Sequence, residues 1–153
     1  MTFTKTYAAG EKTPKPRKFV EHKIRQMTNQ APHILLMEEE PTLLDITAFR
    51  LELLGYTVTC METAQEAMLW LKDNLPDLIA VGQLTDMKSV EFLNLLSNDP
   101  RTSDLPMIYV SASADLVEVQ QAYNAGADEF LVTPYNPMVL EKKVEGLLIA
   151  AKS

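Results

Sequence analysis

Residues 34–41 read Ile-Leu-Leu-Met-Glu-Glu-Glu-Pro. Four consecutive apolar residues are too few for a helix, and they lie between Pro32 on one side and Glu38-Glu39-Glu40-Pro41 on the other. A short unbroken apolar run with such borders is a strand buried on both faces, the kind found inside parallel sheets. Beyond Pro41, Leu43, Ile46, Phe49 and Leu53 recur at helical spacing as far as Gly55, which predicts an amphipathic helix with a glycine stop.

The same pairing repeats along the chain. Tyr56–Cys60 is a second strand, and Thr63-Ala64-Gln65-Glu66 has the form of a capping box that opens a helix with Ala64, Ala67, Met68 and Leu71 on its inner face. Asp77–Gly82 is a third strand, followed by a loop and a helix carrying Val90, Phe92, Leu93 and Leu96. Met107–Ser111 is a fourth strand opened by Pro106, and its helix carries Leu116, Val119 and Tyr123 before ending near Gly126. Glu129–Val132 is a fifth strand, leading through Thr133-Pro134 to a helix capped by Asn136, with Pro137 in its first turn and Leu140, Val144, Leu147, Leu148 and Ala151 as its buried stripe. Five βα units specify an α/β fold, a doubly wound five-stranded parallel sheet with helices on both faces and right-handed crossovers.

Composition bounds the rest. With 46% hydrophobic and 23% charged residues the chain suits one globular domain with an extension. The single cysteine, Cys60, rules out an internal disulfide and a cysteine zinc site, and no apolar run is long enough for a membrane span or a secretory leader, so a cytoplasmic location is expected. The net charge of −7 is unevenly spread. Residues 1–30 hold seven Lys and Arg against two Glu, a net +5, so residues 31–153 carry −7 − 5 = −12. The acidic part argues against contact with nucleic acid, and any anionic partner would be met by the basic part. Residues 1–17 are poor in branched apolar residues and hold Thr-Pro and Lys-Pro steps, the composition of a flexible arm. Val20, Ile24 and Met27 have the spacing of a short amphipathic helix over 19–27.

In doubly wound sheets ligand chemistry gathers outside the carboxyl ends of the strands, where their order reverses. The residues at those ends are Glu38 and Glu39 after the first strand, Gly82 after the third, Ser111 after the fourth and Thr133 after the fifth. Together with Pro-Asp-Leu-Ile-Ala-Val at 76–81, Asp-Leu-Pro-Met-Ile-Tyr-Val-Ser-Ala at 104–112 and Ala-Gly-Ala-Asp-Glu-Phe-Leu-Val-Thr-Pro-Tyr at 125–135, they make residues 32–151 resemble the CheY-like receiver domain of bacterial response regulators. The resemblance implies an acid pair that holds magnesium, an aspartate at the end of the third strand that accepts a phosphoryl group, and a hydroxyl and a lysine that contact that group. Such a set suits phosphoryl transfer, which needs an anionic nucleophile, a hard cation and positive charge on the transferring oxygens.

Carried onto this sequence, Glu38 and Glu39 keep the acid pair and Ser111 keeps the hydroxyl, with Phe130 at the position that switches together with it. Gly82 stands where the acceptor would be, and Thr133, before Pro134, stands where the lysine would be. The following loop is about one residue short of the family's pattern. The resemblance therefore implies a divergent pseudo-receiver that is not an enzyme, holds no cofactor and makes at most a weak magnesium site of Glu38 and Glu39. Asp86, in the short loop, is the alternative acceptor.

His22 and His33 lack metal-ligand neighbours, and Trp70 reads as a packing residue. With no further domain expected after Ser153, output is expected through protein–protein contact in bacterial signal transduction or assembly. The candidate surface is the face of the fourth helix, fifth strand and fifth helix, including Asp115, Glu118, Tyr123 and Tyr135. The candidate linear segment is the basic arm, with Phe3, Tyr7, Lys15, Arg17, Lys18 and Phe19, ordering on an acidic protein partner. Attachment of that arm to nucleic acid or another anionic surface is the alternative. Replacing Gly82 by Ala is expected to leave partner binding intact.

Overall fold

The computed structural model describes residues 30–152. The predicted helix at 19–27 and the arm residues Phe3, Tyr7, Lys15, Arg17, Lys18 and Phe19 lie outside the described residues. The elements run β1 (His33–Met37), α1 (Pro41–Leu53), β2 (Thr57–Met61), α2 (Ala64–Leu71), β3 (Leu78–Val81), α3 (Ser89–Asn98), β4 (Met107–Ser111), α4 (Leu116–Ala125), β5 (Glu129–Val132) and α5 (Pro137–Lys152). All strand pairs are parallel, in the order β2-β1-β3-β4-β5. The fold is the doubly wound (βα)5 parallel sheet expected from the alternation, with the strand order of the flavodoxin-like type that the receiver resemblance implies.

Period-2 alternation splits the strand residues between two cores. Leu35, Met37, Ile79, Val81, Met107, Tyr109 and Phe130 face α2, α3 and α4, where they meet Ala67, Leu71, Phe92, Leu93, Leu96 and Ala122. Ile34, Leu36, Leu78, Ala80, Ile108 and Leu131 face α1 and α5, where they meet Leu51, Leu140, Val144 and Leu148. Both faces of the central strands are covered, which is why β1 and β3 are apolar without interruption.

Two helices, α1 and α4, turn a face inward that differs from the one the spacing suggested. On α1 the inward residues are Leu44, Thr47, Ala48 and Leu51, whereas Ile46, Phe49 and Leu53 stand 52%, 59% and 62% exposed. This helix is apolar around most of its circumference, so periodicity does not single out a face and the sheet chooses one. On α4 Val119 packs against the core as expected, together with the small residues Ala122 and Ala125, while Leu116 and Tyr123 are exposed, because a helix lying close to α3 needs little volume at the contact. On α5, Leu140, Val144, Leu147 and Leu148 pack inward as expected, and Ala151 alone of the predicted stripe is exposed.

Gly55, after α1, has φ of +94°, a conformation that side chains rarely adopt, and it turns the chain into β2. No described helix is long and apolar enough to cross a membrane.

Candidate functional site

The β1–β3 register pairs Met37 with Val81, so Glu38 and Gly82 emerge side by side at the switch point of the sheet. Backbone bonds continue the ladder past the strands: Gly82 N–H donates to Met37 O at 2.7 Å and Glu39 N–H to Gln83 O at 2.8 Å. Glu38 is only 5% exposed. Its Oε2 accepts from Glu40 N–H at 3.0 Å and its Oε1 from Gln83 N–H at 3.4 Å, which folds the carboxylate over the Gly82 backbone. A Cβ at position 82 would stand 2.9 Å from Met37 O and 3.2 Å from Glu38 Cδ, and closer still to Glu38 Oε1. The space beside Gly82 is thus taken by the neighbouring carboxylate, and alanine at 82 is not the neutral probe that the sequence suggested.

Two further acids at this end, Glu40 and Asp86, are also engaged. Glu40 caps α1, accepting from Leu43 N–H at 2.7 Å and Thr42 N–H at 3.3 Å, which is favourable because the first turn of a helix leaves its N–H groups without internal partners. Asp86 performs the same service across the loop for α2, accepting from Ala64 N–H at 2.8 Å and Gln65 N–H at 3.0 Å, while Thr63 Oγ1 accepts from Glu66 N–H at 3.1 Å. The Ala64 bond foremost, assisted by that of Gln65, holds the Asp86 carboxyl below its ordinary 3.8. A depressed carboxyl stabilises the fold above its unfolded value, and that contribution is lost as pH falls through the folded one. Acidification is therefore expected to move the Ala64 and Gln65 amide signals in an NMR titration with a midpoint below 3.8, and Asp86→Asn should abolish that midpoint.

The family's magnesium site requires a hard-oxygen cage. Here the Glu38 carboxylate is spent on backbone N–H groups, which leaves Glu39 as the other member of the pair, Gly82 offers no side-chain ligand, and no group of three or more His, Cys, Asp or Glu suited to a metal ion occurs among the described residues. This donor set does not fit the cation.

Ser111 ends β4 with its hydroxyl held on both sides: it donates to Glu118 Oε2 at 2.7 Å and accepts from Ser113 N–H at 3.1 Å. Tyr109, two residues earlier, donates its hydroxyl to the same Glu118 oxygen at 2.9 Å. Burial first, then the hydrogen bond to Glu118 and its charge, push the Tyr109 hydroxyl well above its ordinary value, so it remains a donor. Tyr109 pairs with Phe130 in the β4–β5 register, and their rings lie 5.3 Å apart at 45°. Phe130 is 8% exposed in the α2–α4 core. Thr133 N–H donates to Ser111 O at 2.8 Å, and the Thr133–Pro134 bond is cis.

The structure therefore gathers Glu38, Glu39 and Gly82 at one point and Ser111, Tyr109, Phe130 and Glu118 at another. Of the candidate docking residues, Asp115 is exposed at the N-cap of α4 without a side-chain bond to the helix, and Tyr123 is 44% exposed. Glu118 is committed to Tyr109 and Ser111, and the Tyr135 hydroxyl meets Thr47 Oγ1 at 2.6 Å. Sequence reasoning missed the Glu118 clamp and the Asp86 cap, because both join residues whose proximity depends on the folded loops.

A 2-1-3-4-5 parallel sheet with acids at its switch point and a hydroxyl at the end of β4 defines a receiver-type α/β domain. The chain belongs to the response regulator receiver domain family, whose match covers residues 34–145. Among solved structures it is similar to a CheY-like response regulator receiver domain protein of Methanospirillum hungatei, 28% identical with a TM-score of 0.73 over 80% of this chain and 97% of that one. It is also similar to the receiver domain of a signal transduction histidine kinase from Syntrophus aciditrophicus, 28% identical with a TM-score of 0.74 over 80% and 93%. Among curated proteins it is similar to the phosphate regulon transcriptional regulatory protein PhoB of Rhizobium meliloti, 30% identical over 79% of this chain and 54% of the relative. The chain spans about half the length of such relatives. Receiver domains of this fold serve two-component signalling as phosphoacceptor and regulatory modules rather than as enzymes in the usual sense.

Proposed function

We propose that this chain is a pseudo-receiver that signals by protein–protein contact without aspartyl phosphorylation. The observation that carries this reading is the Glu38 carboxylate in the space a side chain at Gly82 would need. Thr133, uncharged, stands before the cis proline where the family's lysine is expected. Neither a nucleophile nor a cation for the transferring oxygens is supplied at these positions, and both are needed to lower the barrier. Asp86 does not favour the alternative, since both of its oxygens are spent on capping.

The docking face in this reading is that of α4, β5 and α5. It exposes Leu116 at 81%, Val117 at 61% and Met138 at 62%, beside Asp115 and Tyr123. Apolar side chains exposed at the starts of α4 and α5 support a contact surface there. Residues 31–153 form the receiver unit, and the basic extension 1–30 adds a second contact, with Lys15, Arg17 and Lys18 presented to an acidic protein.

Incubation of the full chain with acetyl phosphate and magnesium, followed by intact mass measurement, tests the reading. The expected result is an unmodified mass under conditions that label a phosphorylatable receiver. A phosphoryl adduct released by hydroxylamine would establish an acyl phosphate and overturn it. Loss of that adduct in Asp86→Asn would then place the acceptor in the loop.

A further inference from the structure

We propose that the exposed apolar face of α1 is the docking site of the chain's own segment 19–27, which covers it as an intramolecular helix. On α1, Ile46, Phe49 and Leu53 fall at i, i+3, i+7 and stand 52%, 59% and 62% exposed, a stripe broad enough to seat one further helix. One flank of the stripe is acidic. Asp45 and Glu52 are exposed at i and i+7 around Phe49, and Arg50 is turned away toward Glu141 on α5, 3.7 Å from it.

The segment has the matching chemistry. Val20, Ile24 and Met27 recur at i, i+4, i+7, Lys23 falls on the same side as Val20 and Met27, and residues 19–27 hold Lys23 and Arg25 against Glu21 alone. Apolar residues would meet apolar residues while Lys23, on the flank of that stripe, meets Asp45 and Glu52, a pairing that sets register and excludes like-charged partners.

The chain's course supplies the occupant. The extension joins the described residues at Gln30 and enters β1 at His33, and Pro32 O accepts from Thr57 N–H at 3.0 Å, directly after the end of α1. The extension therefore arrives at the same end of the sheet where Leu53 and Leu54 lie exposed. A helix over 19–27 is about 13 Å long against about 20 Å for α1. The four residues 28–31 reach at most about 14 Å, enough to fold the helix back along α1. A tether of this length gives a local concentration that no free partner matches without higher affinity.

The single cysteine provides the test. Cys60 is exposed on the edge strand β2. Its thiol is raised by partial burial, then by the charges of Glu52 and Asp45, which places it beside the acidic flank of α1. A nitroxide on Cys60 of the full ¹⁵N-labelled chain is expected to erase the amide signals of residues 19–27, and Phe49→Asp, an exposed substitution, to restore them. Retention of those signals in the spin-labelled parent chain would overturn the proposal.

Signals lost only when labelled and ¹⁵N chains are mixed would overturn it in favour of a second copy. A label-free comparison guards against displacement of the segment by the nitroxide. Ile24→Asp should shift the Ile46, Phe49 and Leu53 amides, and unchanged shifts would likewise overturn the proposal.

Discussion

Gly82→Ala is expected to destabilise the domain by about 1–3 kcal/mol, the range of overpacking a filled site. The penalty is steric, since the new Cβ meets the Met37 carbonyl at 2.9 Å and the buried Glu38 carboxylate on its other side. Of these two obstacles the side chain can rotate away and the backbone cannot, so the two contributions are separable by a double-mutant cycle. With Glu38→Ala in the background, Gly82→Ala should cost about 1 kcal/mol less than in the parent, and that coupling measures how firmly Glu38 holds its place. Gly82→Asp should lose more than Gly82→Ala, because it brings a second carboxylate against the first in a poorly solvated position. Urea titrations at neutral pH read all three. An Asp variant as stable as the parent would show that Glu38 yields freely, which would remove the main support for a blocked acceptor position.

Phe130→Ala is expected to cost about 3–5 kcal/mol, the usual loss for truncating a buried phenylalanine. Phe130 is 8% exposed, its ring lies against Tyr109, and removing it opens space in the core under α4. The loss should include about 0.5–1.5 kcal/mol of ring-pair interaction beyond the area term. It also tests mobility. A residue that alternates between inward and outward positions contributes only part of its burial, whereas a fixed one contributes all of it. A loss below about 1 kcal/mol, measured by chemical denaturation, would point to a ring that spends much of its time outside. Because Tyr109 and Ser111 share Glu118, the Phe130→Ala variant should also loosen the Ser111 contact, visible as faster amide exchange at Ser113, whose N–H donates to Ser111.

The five βα units, their order and the residues at the strand ends were legible in the sequence by itself, because they rest on local signals. Short apolar runs bounded by Pro, Gly and acids define the strands, and a strand's carboxyl end is fixed as soon as its span is known. Glu38, Glu39, Gly82, Ser111 and Thr133 are placed at the carboxyl edge of the sheet on that basis alone. The capping box at Thr63 and the Asn136–Pro137 start were equally local, and Asn136 Oδ1 does accept from Met138 N–H at 2.8 Å.

Only the tertiary structure decided which face of α1 and α4 is buried, and the reason is that periodicity is informative only when a helix has a polar side. The spacing pointed to Ile46, Phe49 and Leu53, but the sheet took Leu44, Thr47, Ala48 and Leu51. Register decided the rest. Parallel pairing of β1 with β3 lays Glu38 over Gly82, pairing of β4 with β5 lays Tyr109 beside Phe130, and the path of the short loop carries Asp86 to the start of α2. These neighbours are 44, 21 and 22 residues apart in the chain. No local propensity connects residues so distant, and they meet because backbone pairing across the sheet and closure of the loops leave them nowhere else to be.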